Sequence, residues 1–182
     1  MWIHCFSKCF RRHYGANGGS AGGHLGLLLA TRGVPGLSTA PDPVDRESSA
    51  VQAAAVFFPV TDLLNLGSST ENPGDGGPPK SFVAAFCPDD AARAEWPNIG
   101  RELSPIYHIG PSMPPVLIVH GDADTLTPLE QSLWFRDRAR EAGREVELVV
   151  RHGKKHGWPT MLWDVRLFAD WFAEHLRARA PG

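Results

Sequence analysis

A serine flanked by glycines carries the clearest chemical signal in this chain. Residues 18–23 read Gly-Gly-Ser-Ala-Gly-Gly, which places the pattern G-x-S-x-G around Ser20. In this pattern a strand ends in a sharp turn that leads into a helix, and the serine hydroxyl stands exposed at the turn. Glycines two residues before and after the serine avoid side-chain collisions in so tight a turn. Ser20 is therefore a candidate nucleophile, and the N–H of Ala21 is the candidate donor to an oxyanion.

A nucleophilic serine needs a base that takes its proton and an acid that orients the base. Because 19 of the 182 residues are glycine, G-x-S-x-G alone can arise by chance, and these partners decide its meaning. Two acids, Asp122 and Asp124, follow the apolar run 116–120, which has the pattern of a strand buried on both faces. Either could serve as the acid.

The candidate bases lie farther along the chain. His152 and His156 follow residues 145–151, which form a second strand pattern. Acid and base thus come after the serine in the order Ser, Asp, His, and each lies just past the carboxyl end of a predicted parallel strand. Parallel sheets place their active sites at this edge. The order and location together favour a Ser-His-Asp hydrolase, with two candidates open for each partner.

The motifs resemble those of α/β-hydrolase carboxylesterases, and the similarity runs from about residue 13 to residue 176. It is greatest to the acetyl- and feruloyl-esterase-like group and extends to the prolyl oligopeptidase catalytic domain. The segments that carry it are Asn17–Leu25, Phe57–Asp62, Ser104–His108, Val116–Pro128 and Gly153–Trp158.

The resemblance implies a role for each candidate. It puts the nucleophile at Ser20, the acid at Asp124 and the base at His156. The family pattern His-Gly-x-x-Asp-x-x-Val-Pro begins at His120, with Thr127 at the valine position. The implied reaction is hydrolysis of carboxylic esters, short-chain acyl esters above all, through an acyl-enzyme and without a cofactor. A prolyl oligopeptidase-type peptidase and a non-catalytic remnant of the fold are the alternatives.

The other histidines and the cysteines predict no metal site. His24 and His120 read as packing residues on the first helix and at a strand end. Cys5 and Cys9 share a predicted helical face with His13 but lack a fourth ligand.

Composition restricts the partners and the location. The chain has 18 Lys and Arg against 20 Asp and Glu, a net charge of -2, and a length that fits one domain, residues 1–182. A chain with this charge lacks the excess of basic residues that is typical of nucleic-acid-binding proteins. No continuous stretch of the sequence approaches the roughly 20 apolar residues that a membrane-spanning helix requires. Three cysteines and the absence of a signal-peptide pattern predict a cytoplasmic protein. A small-molecule ester is the expected partner, with neither nucleic acid nor a membrane.

Strand and helix patterns alternate, which predicts an α/β fold with a mostly parallel sheet flanked by helices. The turn-forming segment 67–80 is expected to be a flexible loop or the rim of the substrate pocket. In the final helix an apolar stripe is expected to pack in the core: Met161, Val165, Phe168, Phe172 and Leu176. The predicted strands are 13–17, 51–58, 116–120 and 145–151, and the predicted helical segments are 2–12, 22–31, 81–95, 128–142 and 158–178.

The chain departs from the family before Ser20. Only 19 residues precede this serine, and they lack the His-Gly-Gly-Gly type segment that supplies a second oxyanion donor. The resemblance therefore implies an α/β-hydrolase fold that lacks its N-terminal strands, with strand 13–17 as an exposed edge. A truncated gene product, a fragment of a longer chain, or a minimal protein that pairs this edge in a homodimer would each explain the departure.

Overall fold

The computed structural model describes residues 14–176, and their centre is one four-stranded sheet. Every neighbouring pair of strands is parallel, which confirms the predicted α/β class. In spatial order the strands are β1 (Gly15–Gly19), β2 (Ala53–Phe57), β3 (Val116–Gly121) and β4 (Val146–Arg151).

Helices cover both faces of this sheet. Successive residues of β2, such as Val56 and Phe57, point to opposite faces of the sheet. Val56 packs with the first and fourth helices, and Phe57 packs with the fifth. No helix in the described range is long and apolar enough to cross a membrane. The helices are α1 (Ala21–Arg32), α2 (Val83–Phe86), α3 (Asp90–Leu103), α4 (Leu129–Glu141) and α5 (Met161–His175).

The first strand begins and ends two residues later than the sequence predicts. Glycines disfavour strands, so the pattern alone ends this strand before Gly18. Parallel pairing with β2 extends it, and Gly19 pairs with Phe57. Within the described residues β1 pairs with β2 alone, so it lies at one edge of the sheet as expected. The predicted helix 2–12 lies outside the described residues.

The third helix is longer than the short pieces predicted near 81–95. It continues through Pro97, a residue that usually ends a helix. Asp89 caps its start by accepting a hydrogen bond from Ala92 N at 2.8 Å. Trp96 is 1% exposed and anchors the helix beside the core. Tertiary packing thus overrides the local signal of the proline.

The fifth helix begins at Met161, not at residue 158, and one member of its predicted stripe is wrong. Phe168 is buried, but Val165 is 50% exposed, and Trp171 is buried although the stripe did not include it. Val165 lines a hollow of about 400 Å³ between α5 and the edge strand β1. The helix face at Val165 therefore extends past the edge of the sheet.

Candidate active site

Ser20 lies at the turn between β1 and α1. Its φ of 55° and ψ of -120° are unusual for a residue with a side chain, and such a conformation costs about 1–3 kcal/mol. Backbone hydrogen bonds hold it there: Ser20 N donates to Phe57 O at 3.0 Å, and His24 N donates to Ser20 O at 2.9 Å. The second bond begins α1, whose first residue is Ala21. The first N–H groups of a helix have no partner within it, which leaves them free to bind an anion.

The glycines around Ser20 have different roles. A Cβ on Gly18 would lie 2.6 Å from the carbonyl of Gly22, so only glycine fits at position 18. A Cβ on Gly22 would meet nothing within 4 Å, so the expected collision at that position is wrong. Gly23 is the crowded one, because its Cβ would lie 2.8 Å from the carbonyl oxygen of Phe57.

Asp124 lies on the loop between β3 and α4, and its side chain is fully buried. Its Oδ1 accepts hydrogen bonds from Leu126 N and Thr127 N, each at 2.9 Å. Burial by itself would raise the pKa of Asp124. Interactions with His120, His156 and the Thr127 N–H outweigh burial and hold this pKa well below its usual range. The carboxylate is therefore ionised at neutral pH.

His156 connects the acid to the serine. Its Nδ1 donates to Asp124 Oδ2 at 2.8 Å, and its Nε2 lies 2.8 Å from the Ser20 hydroxyl oxygen. Its ring also packs on Phe58, with 4.5 Å between ring centroids. The structure thus brings the three predicted residues into one hydrogen-bonded chain, although Ser20 and His156 are 136 positions apart. In this arrangement the imidazole can take the serine proton while the carboxylate fixes the imidazole's orientation.

Asp122 and His152, the other candidate acid and base, pair with each other. His152 Nδ1 lies 2.7 Å from Asp122 Oδ2, and Gly153 N donates to Asp122 Oδ1 at 2.6 Å. These bonds lower the pKa of Asp122. The His152 side chain is 88% exposed, so the pair lies on the surface. Ser20 is hydrogen-bonded to His156 and not to His152.

Both ends of the loop that carries His156 are tied to α5 through Asp164, a buried carboxylate that the sequence analysis did not single out. Arg151 Nε, at the end of β4, donates to Asp164 Oδ1 at 2.9 Å. Trp158 Nε1 donates to Asp164 Oδ2, also at 2.9 Å. Since the contacts join a strand, a loop and a helix, no periodic spacing in the sequence could reveal them.

His24 and His120, the two histidines predicted to be packing residues, do pack inside the fold. The His24 ring donates from Nδ1 to Val60 O at 3.0 Å; burial lowers its pKa more than this bond raises it. His120 is fully buried. Within residues 14–176 no group of three or more His, Cys, Asp or Glu side chains could hold a metal ion. Cys5, Cys9 and His13 lie outside the described residues.

The chain resembles known esterases in sequence. It is 32% identical over 130 residues to the esterase LipQ of Mycobacterium tuberculosis (strain ATCC 25618 / H37Rv), a match that covers 69% of this chain and 28% of that protein. The probable carboxylic ester hydrolase LipM of the same organism is 30% identical over 133 residues, covering 70% of this chain and 28% of LipM. The chain therefore spans about 28% of the length of these curated relatives.

A solved structure is similar to this chain in both sequence and fold. The esterase Est2 of the Planctomycetes species Thermogutta terrifontis, with butyrate bound, is 28% identical and has a TM-score of 0.61. The match covers 91% of this chain and 58% of Est2. These matches confirm the predicted α/β-hydrolase fold.

A family model described as BD-FAE matches residues 11–138. The matched part contains Ser20 and Asp124, and His156 lies beyond it. Because the match covers more than half of the sequence, this chain belongs to the BD-FAE family.

Proposed function

We propose that this chain hydrolyses carboxylic esters with Ser20 as the nucleophile, His156 as the base and Asp124 as the residue that orients the base. The continuous hydrogen-bonded chain from Asp124 through His156 to Ser20, with both links at 2.8 Å, carries the proposal. The names of LipQ and Est2 as esterases support it.

The reaction follows from this geometry in two steps. His156 Nε2 takes the Ser20 proton as the hydroxyl oxygen attacks the ester carbonyl, and the resulting oxyanion lies near the Ala21 N–H at the start of α1. His156 then gives the proton to the leaving alcohol as the carbonyl re-forms, which leaves an acyl group on Ser20. Water, deprotonated by the same imidazole, releases the acid and regenerates the serine.

We expect short acyl groups, such as acetyl, to be the preferred substrates. The butyrate bound in Est2 supports this expectation. p-Nitrophenyl esters of increasing acyl length test it, and a rate that rises from acetate to long-chain esters would contradict it. A proline p-nitroanilide separates an esterase from a prolyl oligopeptidase-type peptidase, because the esterase leaves it uncleaved.

Labelling with a fluorophosphonate probe tests the nucleophile directly. We expect the wild-type chain to be labelled and Ser20→Ala to remain unlabelled, because the probe forms a covalent bond with an activated serine. If the folded wild-type chain remains unlabelled, it is a non-catalytic remnant and the proposal fails.

The segment 67–80 is proposed as the rim of the substrate pocket. Ser69 Oγ donates to Leu126 O at 2.6 Å, and Thr70 N donates to Thr125 O at 2.9 Å. Thr125 and Leu126 directly follow Asp124, so these contacts next to the proposed acid support a position of the segment at the pocket rim. Deletion of residues 72–77 should then change KM for esters of different alcohols more than it changes the rate of labelling.

A homodimer through the edge of β1 stays a hypothesis. Its support is that the described residues pair this strand on one side only, and that an apolar hollow lies beside it. Size-exclusion chromatography with light scattering tests it, and a purely monomeric chain would contradict it.

A further inference from the structure

His120 is a fully buried imidazole that takes no direct part in the proposed reaction. Its Nε2 lies 2.7 Å from Thr127 O, and its Nδ1 lies 2.7 Å from the Ser132 hydroxyl oxygen. Since a carbonyl oxygen can only accept, Nε2 carries a proton and donates it to Thr127. Burial of a polar ring has a desolvation cost that an apolar side chain at this strand end would avoid. The contacts of Nε2 suggest why a histidine is present.

Two routes connect this ring to the proposed acid. The Nε2 atom lies 3.6 Å from Asp124 Oδ2, the same oxygen that accepts the hydrogen bond from His156. Thr127, whose carbonyl binds His120, donates its own N–H to Asp124 Oδ1 at 2.9 Å. One ring nitrogen therefore reaches both carboxylate oxygens: Oδ2 electrostatically, at a distance beyond a hydrogen bond, and Oδ1 through the hydrogen-bonded backbone of Thr127. The His120 and Asp124 side chains are both fully buried, where electrostatic attraction is stronger than in water.

We propose that His120 is a positioning residue, which holds the Asp124 carboxylate in the orientation that meets His156 Nδ1. This inference rests on the proposed function of Ser20. The alternative is that His120 is a packing residue whose polar atoms are merely satisfied by Ser132 and Thr127. If His120 were only a packing residue, its replacement would change stability, and the loss of the Nε2 contact would affect kcat no more than the loss of the Nδ1 contact.

Two amide substitutions separate these roles, since glutamine imitates the Nε2 side of histidine and asparagine imitates the Nδ1 side. His120→Gln can still donate to Thr127 O, whereas His120→Asn keeps only the contact with Ser132. We expect His120→Asn to lower kcat for p-nitrophenyl acetate by about 10–100-fold, the size of one hydrogen bond to a charged group, because His120 supports the bond from Thr127 N to Asp124 Oδ1. KM should stay nearly constant because the His120 ring contacts Asp124 and its turn and not the bound ester. His120→Gln should recover kcat to within about fivefold of wild type.

Ser132→Ala is the matched control, because it removes the partner of Nδ1 and leaves both Nε2 contacts. It should lower thermal stability but leave kcat nearly unchanged. A second readout, independent of turnover, is the far-downfield proton NMR signal of His156 Nδ1–H. We expect this signal to shift or broaden in His120→Asn and to persist in His120→Gln and Ser132→Ala.

Equal kcat values and unchanged signals in the two amide variants would overturn the proposal, as would a tenfold loss of kcat in Ser132→Ala. If neither amide variant folds, Ser132→Ala still tests the proposal: a tenfold loss of kcat overturns it, and unchanged kcat with an unchanged signal is the result that it requires. If the wild-type chain is not labelled by the fluorophosphonate, the proposed function fails on its own. The NMR signal then still tests whether His120 positions Asp124 against His156.

Discussion

Replacement of Asp124 by asparagine should abolish most of the activity while the fold is kept. The structure fixes how the new side chain must lie, because Oδ1 accepts hydrogen bonds from Leu126 N and Thr127 N. The asparagine carbonyl oxygen has to stay at these two donors, so its NH₂ group faces His156 Nδ1. That nitrogen must then accept, and the imidazole proton moves to Nε2. In this tautomer His156 donates to Ser20 and cannot take its proton.

The magnitude follows from this loss of the working tautomer. A serine hydrolase with the wrong histidine tautomer loses about 10⁴-fold in rate. This factor corresponds to about 5.5 kcal/mol of transition-state stabilisation. The two backbone hydrogen bonds to Oδ1 remain, so circular dichroism should show a folded protein.

The assay is the rate of fluorophosphonate labelling and of p-nitrophenyl acetate hydrolysis. Asp122→Asn is the matched control, since it makes the same chemical change two residues away in the same loop. Its surface pair with His152 is exposed, so the rate should stay within about threefold of wild type. The reasoning is refuted if Asp124→Asn keeps more than a tenth of the activity, or if Asp122→Asn loses as much as Asp124→Asn.

Three further predictions concern the backbone around Ser20 and the response to pH. Gly18→Ala should cost about 1–3 kcal/mol of unfolding free energy, because its Cβ would lie 2.6 Å from the Gly22 carbonyl. Gly22→Ala should be neutral or stabilising, since nothing lies within 4 Å of its Cβ. Urea unfolding compares the two variants, and equal losses of unfolding free energy would contradict this difference in crowding. Ser20→Gly should be about 1 kcal/mol more stable than Ser20→Ala, because only glycine adopts a φ of 55° without strain, and identical unfolding midpoints would argue against strain at this turn. Because the pKa of Asp124 is lowered by folding, its contribution to stability is present above the usual aspartate pKa and is lost as the pH falls toward the lowered value. The difference in melting temperature between wild type and Asp124→Asn should therefore narrow from pH 7 to pH 3, and a constant difference would contradict the lowered pKa.

The sequence by itself determined the order of the elements and the types of residue at the site. Strand β3 appears as an apolar run, and a parallel sheet buries such a strand on both faces, so the signal is local. The strand-turn-helix around Ser20 is equally local, because the turn restricts the backbone of a few consecutive residues. Local signals failed where packing dominates, as in α3, which continues through Pro97 because Trp96 is anchored in the core.

Only the tertiary structure decided how the two acids and the two histidines pair. Asp122 and Asp124 follow the same strand and differ little in local chemistry, so the residues alone left both open. The close approach of the loop after β3 to the loop after β4 distinguishes the two acids. A Cβ on Gly121 would overlap the carbonyl oxygen of Lys154, and this same carbonyl accepts a hydrogen bond from Ala123 N at 2.9 Å. With the loops joined at this point, Asp122 faces outward to His152 and Asp124 faces inward to His156, because contacts between distant segments, not the spacing of residues, orient the side chains.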